Sequence, residues 1–280
     1  MRRLAAAGAA VGLLTALSAA CGGGGASVGA AVVREAPKTT TDAHTSRMEV
    51  TIERPPARGT PSPPLKIAGE ADYQGHRGHM LIDLSQLGLP GPPIDAVFDN
   101  ATVYEKFPPA LGSVLPAGKS WVKVDLATAG RSVGVDASGL SQAQAGDPSQ
   151  TLDFLRGASD RVIRVGTEDV RGSATTHYRA VVDLNKAADQ SPTARDAIKS
   201  TVKLLGSSSM PVDVWVDAQG RVRRMKYVVD LSKSKVTAST ASVPGSVTFT
   251  LELFDFGVPV QAVVPPADQV VDLSELSGGK

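Results

Sequence analysis

Hydrophobic and polar residues alternate along most of the chain, and the alternation predicts strands. Over residues 47–53, Met48, Val50 and Ile52 fall on one side. Residues 65–73 repeat the pattern with Leu65, Ile67, Ala71 and Tyr73 against Lys66, Glu70 and Asp72, and Met80, Ile82 and Leu84 mark the next strand. Residues 94–98 and 102–107 flank Asp99-Asn100, a hairpin turn. Over residues 120–126, Val122, Val124 and Leu126 face away from Trp121, Lys123 and Asp125.

Residues 147–184 predict a short helix followed by an antiparallel hairpin with one buried face. Asp147 can cap the helix, Pro148 suits its first turn and Gln150 completes a capping-box spacing. Leu152 and Leu155 share a face, and Gly157 ends the helix. Strand residues 161–165 then lead into a turn at Gly166-Thr167-Glu168-Asp169. In the return strand Thr176, Tyr178, Ala180, Val182 and Leu184 point one way, and Thr175, His177, Arg179 and Asp183 the other.

A second helix is predicted from Ser191-Pro192 to Leu205, capped by Ser191, with Ala194, Ile198, Thr201/Val202 and Leu205 as its apolar stripe. Val212, Val214 and Val216 lead into a hairpin turn, Asp217-Ala218-Gln219-Gly220, and the return strand carries Met225, Tyr227, Val229 and Leu231. Val247, Phe249, Leu251 and Leu253 form a last clear strand, followed by a proline-containing tail with one further ordered stretch at 269–273. Trp121 and Trp215 fall opposite the valines of their strands, so the outer face needs cover from the tail or a loop, or a strand needs a bulge. About ten strands in antiparallel order with two or three helices make the fold α+β.

The amino terminus changes the picture. Met1-Arg2-Arg3 precedes an uncharged, Ala- and Leu-rich stretch over residues 4–20, which reads as a secretory signal and is short for a membrane span. It ends in Leu17-Ser18-Ala19-Ala20-Cys21. Small residues before a lone cysteine mark a bacterial lipoprotein signal. The usual pattern places Leu three residues before the Cys, where this chain has Ser18, with Leu17 one residue further back. Cys21 is the sole cysteine, so no intramolecular disulfide forms, and its thiol is the predicted attachment point for diacylglycerol. Two acyl chains anchor stably, which predicts a protein held on the outer face of the cytoplasmic membrane. The expected organisation is a signal peptide (residues 1–20), a lipidated tether (21–45), flexible through Gly22–Gly25 and 26–31, and one β-rich domain (46–280). Pro37 and Thr39–Thr41 weaken a helix over residues 32–45.

Charge and candidate chemistry mostly exclude. With 29 basic and 28 acidic residues and no basic run, the chain lacks the footprint of a nucleic-acid binder. His76 and His79 fall on opposite strand faces, and His44 and His177 read as solvated surface, so no metal site is expected. Ser-x-x-Lys recurs at Ser120/Lys123, Ser200/Lys203 and Ser232/Lys235 without the Lys-Thr-Gly or Ser-Asp-Asn partners that acyl transfer needs. Capping and turn roles account for the carboxylate pairs Asp147/Asp153 and Glu168/Asp169. No catalytic constellation emerges, and the expectation is a non-enzyme.

VIRVGTEDVRG, then TTHYRAVVDL, with PVDVWVDAQGRVRRMKY further on, resembles the LppX/LprG/LprA/LprF group of actinobacterial lipoproteins, over residues 47–256. The resemblance implies a LolA/LolB-like fold, one strongly curved antiparallel half-barrel sheet with helices on its concave face, and a lipid-carrying role. Periodicity does not distinguish a filled core from a hollow one; an apolar cavity is what the resemblance implies. Its expected lining is Leu152, Leu155, Ile198, Val202 and Leu205 from helices, with Tyr178, Val182, Val214, Tyr227, Phe249 and Leu251 from the sheet. The expected ligand is a lipid or glycolipid, held without a cofactor. Expected partners are the cytoplasmic membrane and an envelope export protein of unidentified kind. The alternative is an envelope scaffold or sensor that binds a partner protein.

Overall fold

The computed structural model describes residues 24–56, 62–88, 91–106, 115–125, 148–230 and 245–277. Six strands form a first meander: β1 (Thr45–Glu53), β2 (Leu65–Asp72), β3 (Arg77–Asp83), β4 (Ile94–Asp99), β5 (Thr102–Lys106) and β6 (Trp121–Asp125). A second comprises β7 (Ile163–Val170), β8 (Ser173–Asp183), β9 (Ser209–Asp217), β10 (Val222–Asp230) and β11 (Ser246–Phe254). With β12 (Val270–Asp272) they make one open, curved sheet in the order β12-β6-β5-β4-β3-β2-β1-β11-β10-β9-β8-β7. Its twelve strands exceed the predicted ten or so, and β12 runs parallel to β6 within an otherwise antiparallel sheet. The two meanders meet where β1 pairs with β11, so Val50 lies opposite both Leu251 and Ile67, and Ile52 opposite both Phe249 and Leu65.

Helices cover the inner face of the second meander. Helix α1 (Gly24–Thr41) corrects the predicted flexible tether. Ala30, Val33 and Ala36 are buried on one side of it. A Cβ at Gly29 would stand in ordinary contact with Val162 Cγ1 (3.4 Å) and Tyr178 Cε1 (3.6 Å), so this part of the helix lies against the sheet. Tertiary packing thus overrides a glycine-rich, Pro37-interrupted sequence. The closing threonines return their hydroxyls to the helix: Thr40 Oγ1 donates to Ala36 O at 2.6 Å and accepts from Val222 N at 2.9 Å. Helix α2 (Pro148–Leu152) runs into a 3-10 turn, Asp153–Gly157. Asp147 lies outside the described residues, so its capping role is untested.

Two further segments differ from expectation. The predicted turn at 166–169 lies inside β7, with a bulge between Arg164 and Gly166. The chain instead reverses at Arg171-Gly172, both left-handed (φ 51° and 77°), as a two-residue hairpin requires. Arg171 tolerates that conformation because its guanidinium bonds Glu252 at 2.6 Å and Glu49 at 3.0 Å and covers the Phe254 ring. Leu184, predicted to end a strand, opens helix α3 (Leu184–Gln190), because the Asp183 carboxylate accepts from Asn185 N and Lys186 N. Helix α4 (Arg195–Leu205) starts later than predicted: Ser191 instead closes α3, its N–H donating to Ala188 O, and its buried hydroxyl has no partner among the described residues. β12 falls within the ordered stretch expected at 269–273, and the short helix α5 (Leu273–Ser277) that follows it is additional.

Glu105 is out of place on the inner face. Its register partners are Ala96 and Val122, and its carboxyl has no basic or hydrogen-bonding partner among the described residues. Burial pushes that carboxyl above the usual carboxylate range. A raised folded-state pKa means the fold favours the protonated group. The penalty is therefore absent below the unfolded pKa and grows as pH rises through the folded one. Glu105→Gln is expected to gain about 1 kcal/mol over wild type at pH 8, roughly 2–4 °C of melting temperature. The gain should vanish near pH 4, which thermal melts across pH check.

Candidate functional site

Where the two meanders meet, the inner face holds an apolar pocket. Met48, Val50 and Ile52 of β1, Ile67 of β2 and Met80 of β3 form one side; Tyr227 of β10 and Phe249 and Leu251 of β11 form the other. Pro148 and Thr151 of α2 close it. Side-chain period places these groups together: on an antiparallel pair every second residue shares a face, and register partners stand side by side. Tyr227 and Phe249 are such partners, stacked at 5.2 Å, and Phe154 meets Tyr227 edge-on at 6.3 Å. Burial raises the Tyr227 phenol far above its ordinary value, so it stays neutral. Among the described residues, eight of the ten lining side chains are apolar, and Thr151 and Tyr227 supply hydroxyls. The free interior measures ≈ 30 Å³, room for about two waters.

The structure divides the predicted lining residues. Tyr227, Phe249 and Leu251 face this pocket. Leu152, Leu155, Val182, Ile198 and Val214 are instead fully buried in a filled core between the helices and β8–β10. Leu205 is buried at its margin, and Tyr178 and Val202 are half-buried against it. Ala187, Ala188 and Ala194 bring the helices close enough to fill that half. The β1–β3 residues escaped nomination, although their alternation was plain, because nothing local to β1 announces its pairing with β11. Cys21 lies outside the described residues.

The outer face corrects the reading of His177 as solvated. It is 6% exposed, stacked on Trp215 at 4.1 Å, with Nδ1 3.0 Å from Glu168 Oε1 and Nε2 2.7 Å from Asp213 Oδ1. Trp215 Nε1 donates to Glu168 Oε2 at 2.9 Å; that bond, with a smaller contribution from His177, outweighs partial desolvation and lowers the Glu168 pKa. Both imidazole nitrogens are engaged, so the ring is not free for acid–base work. Arg224 covers the other side of this cluster, 5.2 Å from the Trp215 ring, beside the β9–β10 bulge at Val222/Arg224. Trp121 is covered by Lys106, and β12 pairs along the edge of its strand. Asp153 binds Arg156, and Asp169 accepts from Gly172 N while Glu168 holds Trp215, so Glu168 and Asp169 serve separate contacts; the Asp147/Asp153 pair falls partly outside the described residues. Among the described residues, no group of three or more His, Cys, Asp or Glu is placed to hold a metal ion, and no helix is long and apolar enough to cross a membrane.

Comparison with known proteins adds three findings, while no protein-family model matches the chain. The sheet and its helices superpose on the lipoprotein LppX of Mycobacterium tuberculosis with a TM-score of 0.50, covering 84% of this chain and 98% of that one at 12% identity. The chain has the LppX fold. An uncharacterised 31.2 kDa protein of Streptomyces griseus is 32% identical over 168 residues, 57% of this chain and 50% of that protein. A candidate lipoprotein of Streptomyces coelicolor is 30% identical over 162 residues, covering 57% and 44%. The chain thus spans about half the length of the curated relatives it matches. The LppX-like sheet bears out the predicted single curved α+β architecture.

Proposed function

We propose that this chain is an envelope lipoprotein, held on the outer face of the cytoplasmic membrane through diacylated Cys21, that binds the tail of a lipid or lipid-like amphiphile. The observation that carries the reading is the apolar pocket at the meeting of the two meanders, with two hydroxyls in its wall among the described residues. An acyl chain gains about 0.8 kcal/mol per methylene buried in such a lining. The LppX fold and the lipoprotein relative support the anchored, lipid-binding assignment. An interior of ≈ 30 Å³ is smaller than an acyl tail, so uptake requires α2, which carries Pro148 and Thr151, to move aside. The chain needs no cofactor in this role, and an export protein that supplies or receives cargo belongs to the same proposal.

Native mass spectrometry with lipid extraction tests it, on Cys21→Ser protein exported behind a cleavable secretory signal in place of residues 1–20 and purified from its own envelope. Without the covalent anchor, every lipid found is cargo. A stoichiometric, chemically restricted lipid is the expected result. A bare mass, with no uptake of offered phospholipid or glycolipid, would transfer the assignment to a scaffold or sensor, a reading that the filled core around Leu152, Ile198 and Val214 favours.

A further inference from the structure

We infer that the corner where α1 meets the start of β7 is a membrane-contact surface, lying on anionic phospholipid when the chain is anchored. The inference rests on the lipidation of Cys21 proposed above and adds which side of the molecule faces the bilayer.

Exposed apolar side chains stand on each element that meets here: Val28 (63% exposed) on α1, Ile163 (62%) and Val165 (48%) on β7, and Val181 (44%) on β8. Gly29, next to Val28, packs on Val162, next to Ile163, which fixes the helix against the strand. Ile163 pairs with Arg179, so Val181 is its diagonal neighbour on the outer face, roughly 7–8 Å away. Such side chains are unfavourable in water and suited to the boundary between head groups and acyl chains.

Charge agrees. Arg161 and Arg164 are exposed at the same corner and form no ion pair among the described residues. The carboxylate beside them, Asp160, is taken by Arg34, and Lys186 lies close enough to act on it as well. The acidic residues of β7, Glu168 and Asp169, stand at the far end of the strand. Basic groups near a membrane surface are attracted to anionic lipid by about 1 kcal/mol each.

Chain length sets the distance. Two residues separate Cys21 from Gly24, the first of α1, so those three steps span at most about 11 Å. Five helical steps from Gly24 to Gly29 add about 7.5 Å. The acylated sulfur therefore lies within about 20 Å of the Gly29–Val162 contact by the lengths of those segments.

The test uses the full lipidated chain in vesicles of phosphatidylglycerol and phosphatidylcholine. Acylation consumes the sole native thiol, so Ile163→Cys, Val165→Cys and, as control, Leu81→Cys each offer one site for an environment-sensitive fluorophore. Leu81 is equally an exposed apolar residue of the outer face, but on β3, seven strand spacings from β7, about 34 Å. Labels at 163 and 165 are expected to show blue-shifted emission and several-fold stronger quenching by spin-labelled lipid than the label at 81. Equal quenching at all three positions overturns the inference. Protection of 163 in native envelope membranes but not in protein-free vesicles also overturns it, and assigns the corner to a partner protein. The intact mass of the same preparation separates the two readings: protein without acyl mass removes the anchor and with it this surface, whereas acylated protein unprotected at 163 removes the surface alone.

Discussion

Val50→Phe is expected to cut lipid occupancy about tenfold while leaving the sheet intact. Val50 lines the pocket from the middle of β1, half-buried, flanked by Leu251 on one side and Ile67 on the other. A phenyl ring there takes the space of about two methylenes of a ligand tail. At about 0.8 kcal/mol each, their loss comes to about 1.6 kcal/mol, and 1.4 kcal/mol is tenfold in affinity. Phenylalanine suits a strand, and a half-buried site has somewhere to send the ring, so the stability cost should stay within the roughly 1–3 kcal/mol of ordinary overpacking. Ile52→Phe, one inner-face position along, provides a second variant with the same expectation. The measurement is uptake of the lipid identified by native mass spectrometry, with melting temperature recorded beside it. Undiminished uptake in both variants, at unchanged melting temperature, would place the cargo elsewhere. A variant of Val182 or Val214 would not serve, because both are fully enclosed in the filled half and a larger side chain there disrupts the core.

That difference between Val50 and Val182 marks what a sequence can carry. Both sit at inward positions of a two-residue period, and that period correctly gives the inner face of each strand, including Tyr227, Phe249 and Leu251 of the pocket. It is silent on which strands are neighbours. Val50 and Leu251 are 201 residues apart, and their adjacency depends on the pairing of the two meanders. Local composition also misled where packing decides. Gly29 signals flexibility in isolation but belongs to a helix that lies against Val162 and Tyr178. The polar-face position of His177 suggested solvent, yet Trp215 on the next strand, itself an outward residue, supplies a stacking partner that buries it. The turn at Arg171-Gly172 competed with a more turn-like Gly166-Thr167-Glu168-Asp169, and long-range ion pairs from Arg171 to Glu49 and Glu252 favour the former.

Gly157→Ala is expected to destabilise the fold by about 3 kcal/mol. Glycine at the end of a helical segment ordinarily supplies a left-handed cap, but Gly157 belongs to the close-approach class. The 3-10 turn that contains it presses onto the junction of β8 and α3. An added Cβ would lie 2.2 Å from Asp183 O and 2.9 Å from Ala187 N. Both are backbone atoms, and Asp183 also caps α3 by accepting from Asn185 N and Lys186 N, so neither can move without loosening that helix. The turn itself is held: Ala158 bridges to Val182, and Ser159 N donates to Val181 O at 2.9 Å. With both sides fixed, the methyl group must part α3 from the turn that buries Phe154 and Leu155. Gly166→Ala is the matched control, since a Cβ there meets nothing within 4 Å. It is expected to be neutral or to gain a few tenths of a kcal/mol from a less flexible unfolded chain. Denaturant unfolding of the two variants against wild type decides the point: similar midpoints would mean that the 153–157 turn shifts freely, and that the filled half of the molecule is as adaptable as the pocket.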